Sequence, residues 1–288
     1  MQQQTDYPPF LGVETEGLAC VSILPVPYDG TSTWKKGADR GPTALLEAST
    51  QLELYDIPTA TEPYRHGIET LPPVVWDGAP EALATEVHDR TAALLDAGKL
   101  PVVLGGDHSV SIGAIQAAVA AVPGLSVLQV DAHTDTREHY EGSAYNHACV
   151  MARVREVAEI VQVGIRSADA AEISALDPDR VFWAHEILQR PTCEWVAEAV
   201  ALLSESVWVT IDLDGLDPAI MPATGTPEPG GLLWHHLQAL LAKIPEGRRV
   251  VGFDVVELCP HPAHWGADFL AAKLVHRFLA EILRSRSV

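Results

Sequence analysis

Short runs of consecutive apolar, often β-branched residues alternate along this chain with longer stretches in which apolar residues recur every three or four positions. CVSILPVP (20–27), PVVLGG (101–106), SVLQV (126–130), IVQVGI (160–165), RVFWA (180–184), VWVTIDLD (207–214) and RVVGFDVVEL (249–258) predict strands. Helices are predicted over GPTALLEASTQLELY (41–55), PEALATEVHDRTAALLDAG (80–98) and SVSIGAIQAAVAAV (109–122, with Ser109 as its cap). Four more follow: HACVMARVREVA (147–158), CEWVAEAVALLSE (193–205), GGLLWHHLQALLAKI (230–244) and GADFLAAKLVHRFLAEILRS (266–285). Alternation of this kind predicts an α/β fold, a parallel sheet covered by helices on both faces. No repeat, low-complexity tract or linker interrupts it, and PATGTPEPGG (222–231) reads as an internal loop, so one domain over residues 1–288 is expected. Trp195, Trp234 and Trp265 read as helix-face core residues.

The apolar pattern breaks in the same way at four strand ends. PVVLGG runs into Asp107 and His108, SVLQV into Asp131, His133 and Asp135, VWVTI into Asp212 and Asp214, and RVVGFDVV into Glu257. In open α/β sheets ligands gather beyond the carboxyl ends of the strands. Alternate residues of an extended chain share a side, so Asp131, His133 and Asp135 converge if the chain stays extended past the strand; Asp212 and Asp214 do the same with Leu213 turned away. With His108 the set is four carboxylates and two imidazoles. That is too many donors for one tetrahedral zinc, and no thiolate belongs to it; mixed oxygen and nitrogen donors suit two hard or borderline divalent ions. The charges balance as well, four carboxylates against two dications. Taken singly, DAHTD reads equally as a solvated strand-end turn and IDLDGLDP as an Asx-rich turn. An EF-hand is excluded by Thr136 and Gly142, which stand where its glycine and glutamate belong.

Composition narrows the partners. The 288 residues are 47% hydrophobic with a net charge of −20, and no basic cluster exceeds pairs such as Lys35-Lys36 and Arg248-Arg249. Nucleic acid and anionic membranes are therefore not expected partners, whereas a small cationic substrate is. MQQQTDYPPF shows no secretory signal, and no apolar run reaches the roughly 18–20 residues of a membrane helix. Cys20, Cys149, Cys193 and Cys259 form no CxxC and read as reduced thiols, consistent with a cytoplasmic protein.

GGDHS (105–109), DAHTD (131–135) and TIDLDGLDPAIMPATGTPEPGG (210–231) resemble the three signature blocks of the ureohydrolase family, which contains arginase and agmatinase. PYDGTSTWKKGADRGPTALLEAS (27–49) resembles the opening block of its agmatinase branch, and VVELCP (255–260) a block near the family's C-terminus. The resemblance implies an arginase-like three-layer α/β/α fold and two Mn2+ per chain. One ion would be held by His108, Asp131, Asp135 and Asp212, the other by Asp131, His133, Asp212 and Asp214. It implies further that His147 relays protons, with His139 as the substitute, and that Glu257 pairs with the substrate guanidinium. Asp169 would touch the substrate's far amine; a plain helix cap is its other reading. Arg137 departs from the arginase pattern for α-carboxylate binding. It is expected to turn away into an acid such as Glu138 or Glu141, or, if it faces the pocket, to favour a guanidino acid. The expected reaction is hydrolysis of agmatine to putrescine and urea in polyamine synthesis, by a homo-oligomer (trimer or hexamer). N1-aminopropylagmatine, 4-guanidinobutyrate and guanidine are the alternative substrates. A single-zinc deacetylase-like amidohydrolase and a non-catalytic relative are the more distant readings.

Overall fold

A computed structural model describes residues 7–15, 17–174 and 176–284; Met1–Asp6 and Ser285, which fall in the expected N-terminal segment and final helix, lie outside the described residues. Its strands are β1 (Val21–Val26), β2 (Ile68–Thr70), β3 (Leu100–Gly105), β4 (Ser126–Val130), β5 (Glu159–Ile165), β6 (Val181–Trp183), β7 (Ser206–Asp212) and β8 (Arg249–Val256). They join in one sheet in the order β2-β1-β3-β8-β7-β4-β5-β6, and every pairing is parallel. The α-helices are α1 (Gly41–Ser49), α2 (Pro80–Asp96), α3 (Ser111–Ala121), α4 (Val150–Val154), α5 (Ala170–Ile173), α6 (Ala184–Ile187), α7 (Thr192–Ala201), α8 (Trp234–Lys243) and α9 (Gly266–Arg284).

Strand side chains divide between two cores with period two. Leu128, Val130, Val207, Val209 and Ile211 pack with Leu45 of α1, Trp195 of α7, Leu240 of α8 and Phe278 of α9. Val127 and Trp208 face the other way, against Leu83 of α2, Ile115 of α3 and Met151 of α4. Burial on both faces is why the strands read as continuous apolar runs, and the result is the expected three-layer α/β/α arrangement. Gly252 lets β8 approach β7 closely, since a Cβ there would stand 2.3 Å from the Trp208 ring.

Several boundaries differ from the sequence reading. Strand β2 was not expected; it has three residues at a sheet edge, of which only Ile68 is buried. Helix α1 stops at Ser49, whose hydroxyl donates back to Leu46 O (2.7 Å) and accepts from Leu11 N (3.0 Å). Helix α8 opens only at Trp234 because Leu232 pairs with Leu216, while Gly230 and Gly231 donate to Asp217. Asp107, not Ser109, is the cap after β3: its carboxylate accepts from Ser109 N at 3.1 Å. Trp265 is 74% exposed and belongs to no core.

Strands β3, β8, β7 and β4 are consecutive neighbours at the centre of the sheet. Their carboxyl ends are the four that end in acids or imidazoles.

Candidate metal centre and active site

After Val130 the chain leaves the sheet, with Asp131 N still bonded to Val163 O of β5 at 3.1 Å. It does not stay extended, as the alternation argument supposed. Asp135 takes a left-handed backbone (φ 52°), and its carbonyl accepts from Met151 N (2.9 Å) and Ala152 N (3.1 Å) at the start of α4. Such a conformation costs about 1–3 kcal/mol for a residue with a Cβ; those two bonds hold it, and the turn returns the carboxylate to the cluster. On β7 the strand ends at Asp212, and a 3-10 turn over Leu213–Gly215 brings Asp214 back, with Asp214 N donating to Asp212 Oδ1 at 2.8 Å. Convergence comes from turns, not from strand pleat.

His108 is the clearest sign of a metal. Its Nε2 lies 2.8 Å from Thr210 Oγ1, whose own proton goes to Asp254 Oδ1 (2.6 Å). Asp254 is fully buried and also accepts from Ser111 Oγ and Trp208 Nε1. Thr210 therefore receives the Nε2 proton, which leaves Nδ1 with its lone pair aimed at Asp135 (3.0 Å), Asp131 (3.2 Å) and Asp212 (3.4 Å). Nδ1 is buried and makes no hydrogen bond. His133 Nδ1 stands 3.0 Å from Asp214 Oδ2 and 3.6 Å from Asp131 Oδ1. Donor atoms of His108, Asp131 and Asp212, and of Asp131, His133 and Asp214, lie within 4.8 Å of one another. Asp131 is common to both groups. The residues present fit a pair of divalent cations.

Electrostatics agree. Burial, then the neighbouring Asp214 and Asp131, raise Asp212 well above the usual carboxylate range. Burial and Asp131 push Asp135 up to about 7. Burial alone would lower His108 and His133, but the surrounding carboxylates override it and raise both. Without cations the cluster holds protons in their place. Loading the site near pH 7 should therefore release protons, and metal affinity should fall as the pH is lowered. Calorimetry in buffers of different ionisation enthalpy counts those protons; a count of zero would contradict this picture.

His147 and Glu257 reach the same place. One cavity is lined by five of the six donors, all but Asp131, together with His147 and Glu257. Glu257, at φ 65° just beyond β8, accepts from His108 N at 2.8 Å and is raised well above its ordinary range by burial, Asp107 and Asp214. His147 N donates to Thr31 Oγ1 (3.0 Å) and Nδ1 lies 3.2 Å from the same oxygen, which leaves Nε2 free to work in the cavity. Burial, then His133 and His108, push His147 down to about 4. His139 is exposed and lines neither this cavity nor the larger one beside it.

The adjoining vestibule, about 320 Å³, shares His133, Asp135 and His147 and adds Arg137, Tyr140, Asp169 and Glu172. Arg137 does line the pocket, and its acid is neither Glu138 nor Glu141. Nε is 3.4 Å from Glu172 Oε2, while Glu138 is occupied by Arg153 and Arg155. Asp169 both lines the vestibule and caps α5, accepting from Ala171 N at 2.9 Å. Thr31, Thr210, Asp254 and Gln129, whose amide donates to Asp131 Oδ2 at 2.7 Å, were not singled out from sequence. Asp254 carried a signal, a lone acid inside the apolar run GFDVV.

The profile described as "Arginase family" matches residues 19–280. The chain belongs to the arginase family. The N(1)-aminopropylagmatine ureohydrolase of Synechocystis sp. is 38% identical over 272 residues, 91% of this chain and 88% of that protein. The agmatinase of Pyrococcus horikoshii is 33% identical over 264 residues, 88% of each. The agmatine ureohydrolase of Thermoplasma volcanium superposes with a TM-score of 0.84 at 31% identity, over 92% of this chain and 90% of that one. Arginase-family membership accounts for the parallel sheet and for a donor set suited to two metal ions. Among the described residues no helix is long and apolar enough to cross a membrane.

Proposed function

We propose that this arginase-family chain is a ureohydrolase acting on agmatine, with putrescine and urea as products in polyamine synthesis. One domain, residues 1–288, would carry the reaction with two Mn2+ per chain, in a cytoplasmic trimer or hexamer. The observation that carries the reading is one cavity in which candidate metal donors, the buried Glu257 carboxylate and the half-buried His147 imidazole meet. N1-aminopropylagmatine is the second reading, favoured by a vestibule that continues past His147 to Asp169 and by the name of the Synechocystis relative.

Bound divalent ions supply Lewis acidity and a lowered pKa for water. The chain supplies the rest. Glu257 accepts N–H bonds from the planar guanidinium, and that cation draws its carboxyl back toward the charged form. His147, neutral near pH 7 by its depressed pKa, takes the proton shed by the attacking water and returns it to the departing nitrogen. The vestibule takes the tail.

Replacing His147 with alanine should lower turnover roughly 10²–10⁴-fold with metal content and KM little changed; wild-type turnover in that variant would remove His147 from the reaction. The reading as a whole is tested by measuring urea from agmatine, aminopropylagmatine, arginine, 4-guanidinobutyrate and guanidine after manganese loading. Urea from agmatine or its aminopropyl derivative is the expected result. No urea from any of the five would leave the non-catalytic or deacetylase-like reading.

A further inference from the structure

Beyond the metal donors and His147, the vestibule is lined by three charged side chains, Arg137, Asp169 and Glu172. A cation there is at odds with a cationic substrate, unless its charge is spent. Arg137 is engaged on two sides: Nε against Glu172 at 3.4 Å, and the guanidinium carbon 4.5 Å from the centre of the Tyr140 ring. Glu172 cannot swing away from it. Its side chain is only 8% exposed. Oε1 accepts from Thr134 Oγ1 (2.6 Å) and Thr136 N (3.2 Å), and Oε2 accepts from Asp169 N (2.8 Å). Asp169 is exposed, its carboxylate capping α5 by accepting from Ala171 N at 2.9 Å. The vestibule therefore presents a neutralised cation and one exposed acid.

We propose that Glu172 is a specificity-determining residue, which neutralises Arg137 so that the vestibule takes a guanidino substrate ending in a cationic amine and turns away one ending in a carboxylate. The inference rests on the ureohydrolase reading and deepens it. A guanidinium offers a planar fork of donors matched to a carboxylate. Freed from Glu172, the same Arg137 would receive an acid-ended tail. Specificity here is a difference between two affinities, set as much by the repelled ligand as by the accepted one.

The test compares kcat/KM for 4-guanidinobutyrate with kcat/KM for whichever of agmatine and aminopropylagmatine the wild type turns over faster. Glu172→Gln keeps an acceptor oxygen for Thr134 and Thr136 while removing the charge. It should shift the ratio toward 4-guanidinobutyrate by about tenfold or more. Arg137→Met leaves Glu172 unopposed and should shift the ratio the other way by a similar factor. Opposite shifts are something a merely structural role would not give, since loss of shape lowers both substrates together. A ratio that stays within about twofold of wild type in both variants, with metal content intact, overturns the proposal. If Glu172→Gln does not fold, Arg137→Met, at a half-exposed position, decides the matter alone: a shift toward the amine supports the proposal and no shift overturns it. Wild-type protein that releases urea from none of the three compounds removes the ureohydrolase reading and this inference with it; active wild type with an unmoved ratio removes the inference only.

Discussion

Replacing Asp131 with asparagine should remove both metal ions and reduce urea release to background. Asp131 is the one residue common to both donor groups, and it is fully buried. Its two oxygens are each already fixed by a donor: Oδ1 by His133 N at 2.6 Å and Oδ2 by Gln129 Nε2 at 2.7 Å. A carboxylate held that way still has lone pairs for cations on either side. An amide does not. Its NH2 would face the His133 or Gln129 donor, or point into the cluster, and whichever oxygen it replaced, a cation held there would lose an anionic oxygen. Losing an outer partner of a metal ligand costs roughly 10–100-fold in affinity or activity, and loss of the shared ligand should exceed that range. Elemental analysis should give fewer than one ion per chain. Two retained ions, with turnover within about tenfold of wild type, would show that Asp131 is not shared.

The second large effect lies away from the cluster. Arg277 of α9 is buried and pairs with Asp56, with Glu281 Oε1 (2.8 Å) and with Gln238 Oε1 (3.1 Å). Asp56 also accepts from Thr59 N and Oγ1. These bonds tie α9 to the 52–61 segment after α1, where no strand or helix of that segment could do so. Arg277→Met keeps much of the side-chain length but leaves the buried Asp56 without its cation and Glu281 with Arg284 alone, a change that costs about 3–5 kcal/mol. Burial opposes the charged form of Asp56, yet Thr59 and Arg277 together hold its pKa below 3.8. A depressed carboxylate pKa contributes stability above the unfolded value, and that stability is lost as the pH falls through the folded one. The gap between wild type and variant should therefore be full at neutral pH and shrink below about pH 4. Denaturant unfolding at pH 7 and at lower pH reads both; a difference under about 1 kcal/mol at pH 7 would place the pairing among contacts of little net effect.

Most of the sheet was legible because strands buried on both faces leave uninterrupted apolar runs such as SVLQV and PVVLGG. The short edge strand β2 was not, since IET has one buried residue and no pattern to read. That acids and imidazoles gather at one rim of the sheet was legible as polar breaks at strand ends. How they converge was not. The left-handed turn at Asp135 is imposed by two amides of α4, and the turn after Asp212 by a side-chain bond to Asp214; neither leaves a trace in local spacing. The pairing of Arg137 with Glu172 was missed for a related reason. The partners are 35 residues apart, and only the meeting of the 131–137 loop with α5 brings them together. Near-sequence acids such as Glu138 were the nearer guess, but they serve Arg153 and Arg155. Trp265 was read as a helix-face core residue, but it stands just before α9 opens at Gly266, in a segment that faces solvent.

A pair of cations beside His147 and Glu257 is the central expectation. Crystals soaked in manganese and recorded at its absorption edge test this directly. Two anomalous peaks per chain, with Asp131 between them and His108 Nδ1 and His133 Nδ1 on opposite sides, are expected. A single peak, or peaks away from the six side chains, would contradict it.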